Sequence, residues 1–222
     1  SMAMAEPTAC DHWIGGERVA STEYLSVKNT VDDSVIGKVA LADENVVNAA
    51  VHSAQCAFAS WSSLTLQARA DILMEFHNLV KKHSDELAEL IVRENGKNIT
   101  EALAEVAKAN ETVAFACSLP AVAAGNILQV SSQVTCQDKR VPIGVVVSIV
   151  PFNFPLMVPM WTFPIALVMG NTVVLKPSEK VPLTMQRTVQ LLKEAGLPPG
   201  CLNLVQGDKR AVQALLAHDA VN

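Results

Sequence analysis

The sequence predicts an α/β fold in which a parallel, doubly wound sheet with flanking helices follows a mostly helical region and small β-hairpins. Three observations carry that expectation. After Arg140, apolar strand runs alternate with helical runs, and each strand run is apolar on both faces, as a sheet covered on both sides requires. Before Arg140, apolar residues recur at helical spacing. Half of the 222 residues are hydrophobic, enough to bury a large core.

In chain order, Ser1–Met4 reads as a tag remnant, and residues 5–129 read as a mostly helical N-terminal part. Trp13-Ile14 and Val19-Ala20 flank Gly15-Gly16, a hairpin signal. Val35–Val39 is a further strand candidate. Asp43 stands where a helix N-cap belongs, and Val46, Val47, Ala50, Val51, Ala54, Ala57 and Phe58 then share one helical face. A second helical run covers about Leu66 to Asn95 with a break near Ser84, and Gly96 fits its C′ position. A third covers about Thr100 to Ala124. Val130–Lys139 alternates as a strand does. In the last part, residues 143–222, strands are expected at Val145–Val150, Thr172–Lys176 and Leu202–Val205. Between and after them come helices at about Leu156–Met169, Thr184–Ala195 and Asp208–Ala217. The Thr184–Ala195 helix reads as amphipathic, with Leu183, Val189, Leu191 and Leu192 opposite Gln186, Arg187, Gln190 and Lys193.

Several functional classes are disfavoured. The formal charge is −5 with no cluster of Lys or Arg, so nucleic acid is not an expected partner. Val141–Leu175 carries no charge, which invites a transmembrane reading, but Pro142, Pro151, Pro155, Pro159 and Pro164 interrupt it. A membrane span needs about 20 unbroken apolar residues, so a buried core is the better expectation. The five cysteines, at 10, 56, 117, 136 and 201, are odd in number and spread apart without a CxxC, which fits a reducing compartment rather than a disulfide framework. With no secretory signal visible, the expectation is a soluble intracellular protein, cytoplasmic or of the mitochondrial matrix.

Ligands of a doubly wound sheet bind beyond the carboxyl ends of its strands. The first such turn reads Val150-Pro151-Phe152-Asn153-Phe154-Pro155. An asparagine there is a carboxamide in an apolar setting whose N–H could stabilise an oxyanion; the plainer alternative is a turn-forming residue between prolines. The second reads Lys176-Pro177-Ser178-Glu179-Lys180. Lys176 could reach a ribose hydroxyl or phosphate, and Glu179 could accept from both ribose hydroxyls while repelling a 2′-phosphate, favouring NAD. The alternative is an exposed ion pair of little energetic weight. There is no Gly-x-Gly-x-x-Gly, P-loop or His-Glu-x-x-His. No metal site is expected, because His77 and His83 lie about 240° apart around a helix. Cys56, Cys117, Trp161, Phe163 and the methionines at 157, 160 and 169 read as core.

These turns, with Pro142-Ile143-Gly144-Val145, Gly170-Asn171-Thr172 and Gly200 to Gly207, resemble the NAD-dependent aldehyde dehydrogenases from about Trp13 to Asn222. Within them, phenylalanine at 152 is most like the CoA-acylating methylmalonate-semialdehyde group. The resemblance implies a partial aldehyde dehydrogenase fold, the first half of a Rossmann-like NAD-binding sheet in residues 143–222, and an oligomerisation hairpin in 130–142. It implies Asn153 as the oxyanion donor to a thiohemiacetal oxygen. Val150, Pro151 and Phe152 would lie on the nicotinamide-ribose side, with Lys176, Pro177, Ser178, Glu179 and Lys180 at the adenosine ribose. Lys180 stands where the group has arginine. So does Lys108, at the position that grips a substrate carboxylate, and lysine lacks the planar fork of arginine. The family's nucleophilic cysteine follows a Gly-Gln pair, and none of the five here does. The expectation is therefore an N-terminal fragment, inactive alone and lacking the catalytic domain. Its parent would oxidise a methylmalonate- or malonate-semialdehyde-type aldehyde with NAD and CoA and would be a homo-oligomer. A non-acylating dehydrogenase fragment and a stand-alone nucleotide- or partner-binding module stay open beside it.

Overall fold

A computed structural model describes residues 8–123 and 125–221; the Ser1–Met4 segment, Ala124 at the expected end of the third helix, and Asn222 lie outside them. The chain begins with β1 (Thr8–Cys10), the hairpin β2 (His12–Ile14) and β3 (Glu17–Val19), then β4 (Tyr24–Lys28) and β5 (Val35–Ala40). Gly15 and Gly16, at φ 61° and 82°, make the β2–β3 turn that only positive φ allows at both positions. The helical part follows as α1 (Glu44–Ser63), α2 (Leu66–Lys82), α3 (Ser84–Asn95) and α4 (Ile99–Val122). The Asp43 side chain accepts from the Val46 N–H and caps α1 as expected. The hairpin β6 (Ile127–Ser131) and β7 (Val134–Gln137) comes next. The remainder is β8 (Val145–Ile149), α5 (Met157–Met160), α6 (Phe163–Val168), β9 (Thr172–Lys176), α7 (Leu183–Glu194), β10 (Leu202–Leu204) and α8 (Lys209–Leu216).

The central sheet runs β3-β2-β10-β9-β8. Its β8, β9 and β10 are parallel, and β2 joins β10 antiparallel through Trp13 opposite Leu204. The sheet is thus mixed rather than wholly parallel. The N-terminal hairpin covers the edge that β10 would otherwise leave unpaired, and His12 Nδ1 accepts from the Gln206 N–H at 3.1 Å to fix it there. Along β9, Val173 and Leu175 pack into one hydrophobic cluster with Trp61, Phe76 and Phe163. Val174 points into the other, with Val47, Ala50 and Leu215. Helices therefore cover both faces, and each buried Val or Leu contributes about 1.5–3 kcal/mol. A second sheet, β1-β5-β4, flanks this unit.

Other expectations are corrected as well. The helix over Leu156–Met169 is two short helices, because Pro164 has no N–H to donate to the Met160 carbonyl four residues back; Trp161 falls at the break and is 52% exposed rather than core. Helix α7 is covered by α2, α3 and β1, so its supposed polar face is partly buried, Gln186 included. Cys56 lies on the outer face of α1 and is exposed. The β6–β7 hairpin starts at Ile127, and the alternation in Val130–Lys139 marks no buried face, since both strands are exposed throughout. Its turn falls at Ser132 and Gln133, inside the expected strand. No described helix is long and apolar enough to cross a membrane.

Candidate active site

The register of β8 on β9 places Ile149 opposite Lys176, and the Val150 N–H donates to the Lys176 carbonyl at 3.1 Å. The two turns singled out in the sequence therefore leave the sheet side by side. Lys176 ends a strand in which every residue is buried, and it is itself 4% exposed. Its Nζ lies 3.5 Å from Glu179 Oε2, a long contact that leaves most of its donor capacity unspent. Burial pulls this ammonium below its ordinary range, opposed by Glu179 and then Asp208. The pair is accordingly not the exposed loop ion pair that composition alone allowed. Pro177 and Ser178 are buried, and Ser178 Oγ accepts from the Lys180 N–H at 3.3 Å.

The Lys180 ammonium sits 4.7 Å from the centroid of the Phe152 ring, so the second turn touches the first. Between them opens a groove of about 690 Å³ whose walls include Phe152, Asn153, Glu179, Lys180, Val181 and Glu94. Val150 is buried in the hydrophobic core, while Pro151, Phe152 and Asn153 are exposed. This corrects the apolar setting expected for Asn153: the residue is exposed, and its carboxamide makes no hydrogen bond among the described residues.

Sequence reasoning missed what holds this turn. Asn95 Nδ2 donates to the Phe152 carbonyl at 2.8 Å, and Lys97 Nζ donates to the Asn153 carbonyl at 2.8 Å. Lys97 also pairs with Glu105 and stands 3.7 Å from the Phe154 ring centroid. Glu105 Oε1 accepts from the Leu156 and Met157 N–H groups at 2.9 and 3.2 Å. Gly96, at φ 82°, turns the chain so that the residues on either side of it both reach the turn. The only signal available was the Asn-Gly-Lys that ends α3, which reads as a helix stop.

Lys108 lies outside the groove. It lines a separate hollow of about 510 Å³ with Lys97, Phe154 and Met157, and its exposed ammonium pairs with Glu111 at 2.6 Å.

A family model for the aldehyde dehydrogenase family matches residues 17–222. The chain belongs to that family. Among its relatives, malonate-semialdehyde dehydrogenase 1 of Geobacillus kaustophilus (strain HTA426) is 42% identical over 224 residues, all of this chain but 46% of that protein. The crystal structure of methylmalonate-semialdehyde dehydrogenase (DddC) from Oceanimonas doudoroffii matches with a TM-score of 0.93 and 40% identity, over 96% of this chain and 44% of that one. PnpE in complex with nicotinamide adenine dinucleotide matches at 0.91 and 34%, over 95% and 44%. The chain thus spans just under half the length of these relatives.

None of the five cysteines lines the groove. Cys10 and Cys201 are buried, with burial raising the first thiol and pushing the second up to about 12. Cys117, half-buried, is pushed up to about 11. Cys136 lies exposed on β7. His77 meets the Asn110 carbonyl at 3.3 Å, and His83 meets Glu86 at 2.7 Å, so each has a separate partner.

Proposed function

We propose that this chain is the N-terminal, NAD-binding portion of a semialdehyde dehydrogenase that oxidises malonate- or methylmalonate-semialdehyde-type substrates, with CoA as acyl acceptor. The observation that carries the reading is the meeting of two turns at one groove, lined by Phe152 and Asn153 from the first and by Glu179 and Lys180 from the second, with the Lys176 ammonium beside Glu179. The names of the relatives support the substrate class.

The residues fit a dinucleotide. Lys176 has spare donors for ribose hydroxyls, and Glu179 offers a half-buried carboxylate that accepts from them and repels a 2′-phosphate. NAD, when bound, supplies the hydride acceptor. Pro177 and Ser178 hold the Lys176–Glu179 loop, Lys180 braces it on Phe152, and Val150 and Pro151 carry the first turn over the end of β8. Asn153 donates to the carbonyl oxygen as negative charge builds on it, a contribution worth about 10²–10³ in rate for a single preorganised donor. Lys108 attracts the substrate carboxylate as a point charge. The 222-residue polypeptide alone turns nothing over, since its groove holds no thiol. Assembly runs through the exposed β6–β7 hairpin, where Ile127, Leu128, Val130 and Val134 are all uncovered.

The test is cofactor choice in the intact enzyme bearing this chain. Glu179→Ala should narrow the NAD-over-NADP preference in kcat/KM at least about tenfold, and an unchanged preference would remove the adenosine-ribose role. Turnover independent of CoA would refute the acylating assignment. Equal kcat/KM for acid semialdehydes and uncharged aldehydes would sink the role of Lys108. Light scattering on a chain with Ile127→Lys and Val130→Lys should show reduced self-association.

A further inference from the structure

An oxyanion donor works only if it is aimed before charge develops, and Asn153 has an exposed side chain on a short turn with no hydrogen bond of its own among the described residues. Everything that restrains it acts on the backbone. The carbonyl before Asn153 is held by Asn95 and its own carbonyl by Lys97, each at 2.8 Å. Two N–H groups just beyond are gathered by one carboxylate, Glu105, 3% exposed and paired with Lys97. The Phe154 ring closes over the Lys97 ammonium.

The carbonyls of Phe152 and Asn153 could be satisfied by water, because both residues are exposed. The fold does not need two long polar side chains ordered there, nor a Lys–Glu pair taken out of water; such pairs often add little stability and instead fix one conformation. We propose that Asn95, Lys97 and Glu105 are positioning residues. They clamp the backbone on both sides of Asn153 and leave its carboxamide donors unspent and directed into the groove. This inference rests on the reading of Asn153 as oxyanion donor.

A double-mutant cycle in the intact enzyme bearing this chain separates the two. Asn153→Ala should lower kcat about 10²-fold or more. Lys97→Met and Asn95→Ala should each lower kcat about tenfold, with KM for NAD within about twofold, and Lys97→Arg, which keeps a donor and the charge, should recover most of the loss. In the Asn153→Ala background, Lys97→Met should cost no further activity, because it acts through a group already removed. An equal loss in both backgrounds would overturn the positioning role and leave only a structural one. If Asn153→Ala left kcat unchanged, the oxyanion reading itself would fall. The 222-residue chain then still decides the clamp: Lys97→Met should lower the NMR order parameter of the Asn153 carboxamide and speed exchange of the Leu156 and Met157 amides, leaving β9 amides unchanged. An Asn153 carboxamide as ordered in the variant as in the parent would refute it.

Discussion

Glu94 offers a sharp test of the balance between burial and hydrogen bonding in this protein. It ends α3 with its carboxylate against the N-terminus of α7. Oε2 accepts from the Leu183 N–H at 2.6 Å, while Oε1 accepts from the Thr184 N–H at 3.0 Å and from the Thr184 hydroxyl. Burial nevertheless outweighs these donors and, with repulsion from Glu105, raises its pKa from 4.5 to about 7. Another ionisable neighbour is Cys10 on β1, whose thiol Glu94 helps to raise. A carboxyl that ionises less readily when folded binds more protons in the native state than in the unfolded one. Its contribution is therefore fully present below the unfolded pKa and disappears as pH rises through about 7. Each tenfold change in proton affinity is about 1.4 kcal/mol, so the move from 4.5 to about 7 corresponds to about 3 kcal/mol. Urea unfolding of the parent and of Glu94→Gln between about pH 5 and about pH 8 reads this directly. Parent stability should fall relative to the variant by about 2–3 kcal/mol across that window. A difference that stays constant, or grows with pH, would show that the three donors win and that the carboxylate is stabilised in its ionised form.

Gly96→Ala should destabilise by about 1–3 kcal/mol, seen as a lower Tm, because alanine is strained at positive φ and its Cβ would run into the Thr30 side chain. Arg69 is buried and donates to the carbonyls of Val168 at 2.7 Å and of Trp61, Ser62 and Leu64, closing the ends of α1 and α6. Arg69→Met should cost about 2–4 kcal/mol by chemical denaturation, and Arg69→Lys, lacking the fork, should recover less than half of it. Maleimide labelling followed by mass spectrometry should modify Cys56 and Cys136 in the native chain and spare Cys10 and Cys201 until urea unfolds it. Labelling of Cys201 as fast as Cys136 would contradict the packing under β10.

Local chemistry made much of the architecture legible. Asp43 before an apolar helical stripe, Gly96 after one, and β-branched runs between helices each act within a few residues, so pattern alone locates their elements. The misreadings have equally local causes. The apolar run over Leu156–Met169 reads as one helix, yet Pro164 removes an N–H that would carry it across the break after Met160. Cys56 shared an alanine-rich helix whose buried stripe passes it by.

What the sequence by itself determined is the alternation of strands and helices after Arg140, the two turns at Val150–Pro155 and Lys176–Lys180, and hence the family. What only the tertiary structure decided is which of those residues meet. Lys180 braces Phe152, Asn95 and Lys97 reach the peptides flanking Asn153, and Glu94 and Glu105 cap helices that start far along the chain. The placement of β2 on β10 belongs with them. The physical reason is separation: propensity, capping and turn chemistry are set by near neighbours, whereas an ion pair or a strand pairing between distant residues exists only once the core has brought their elements together.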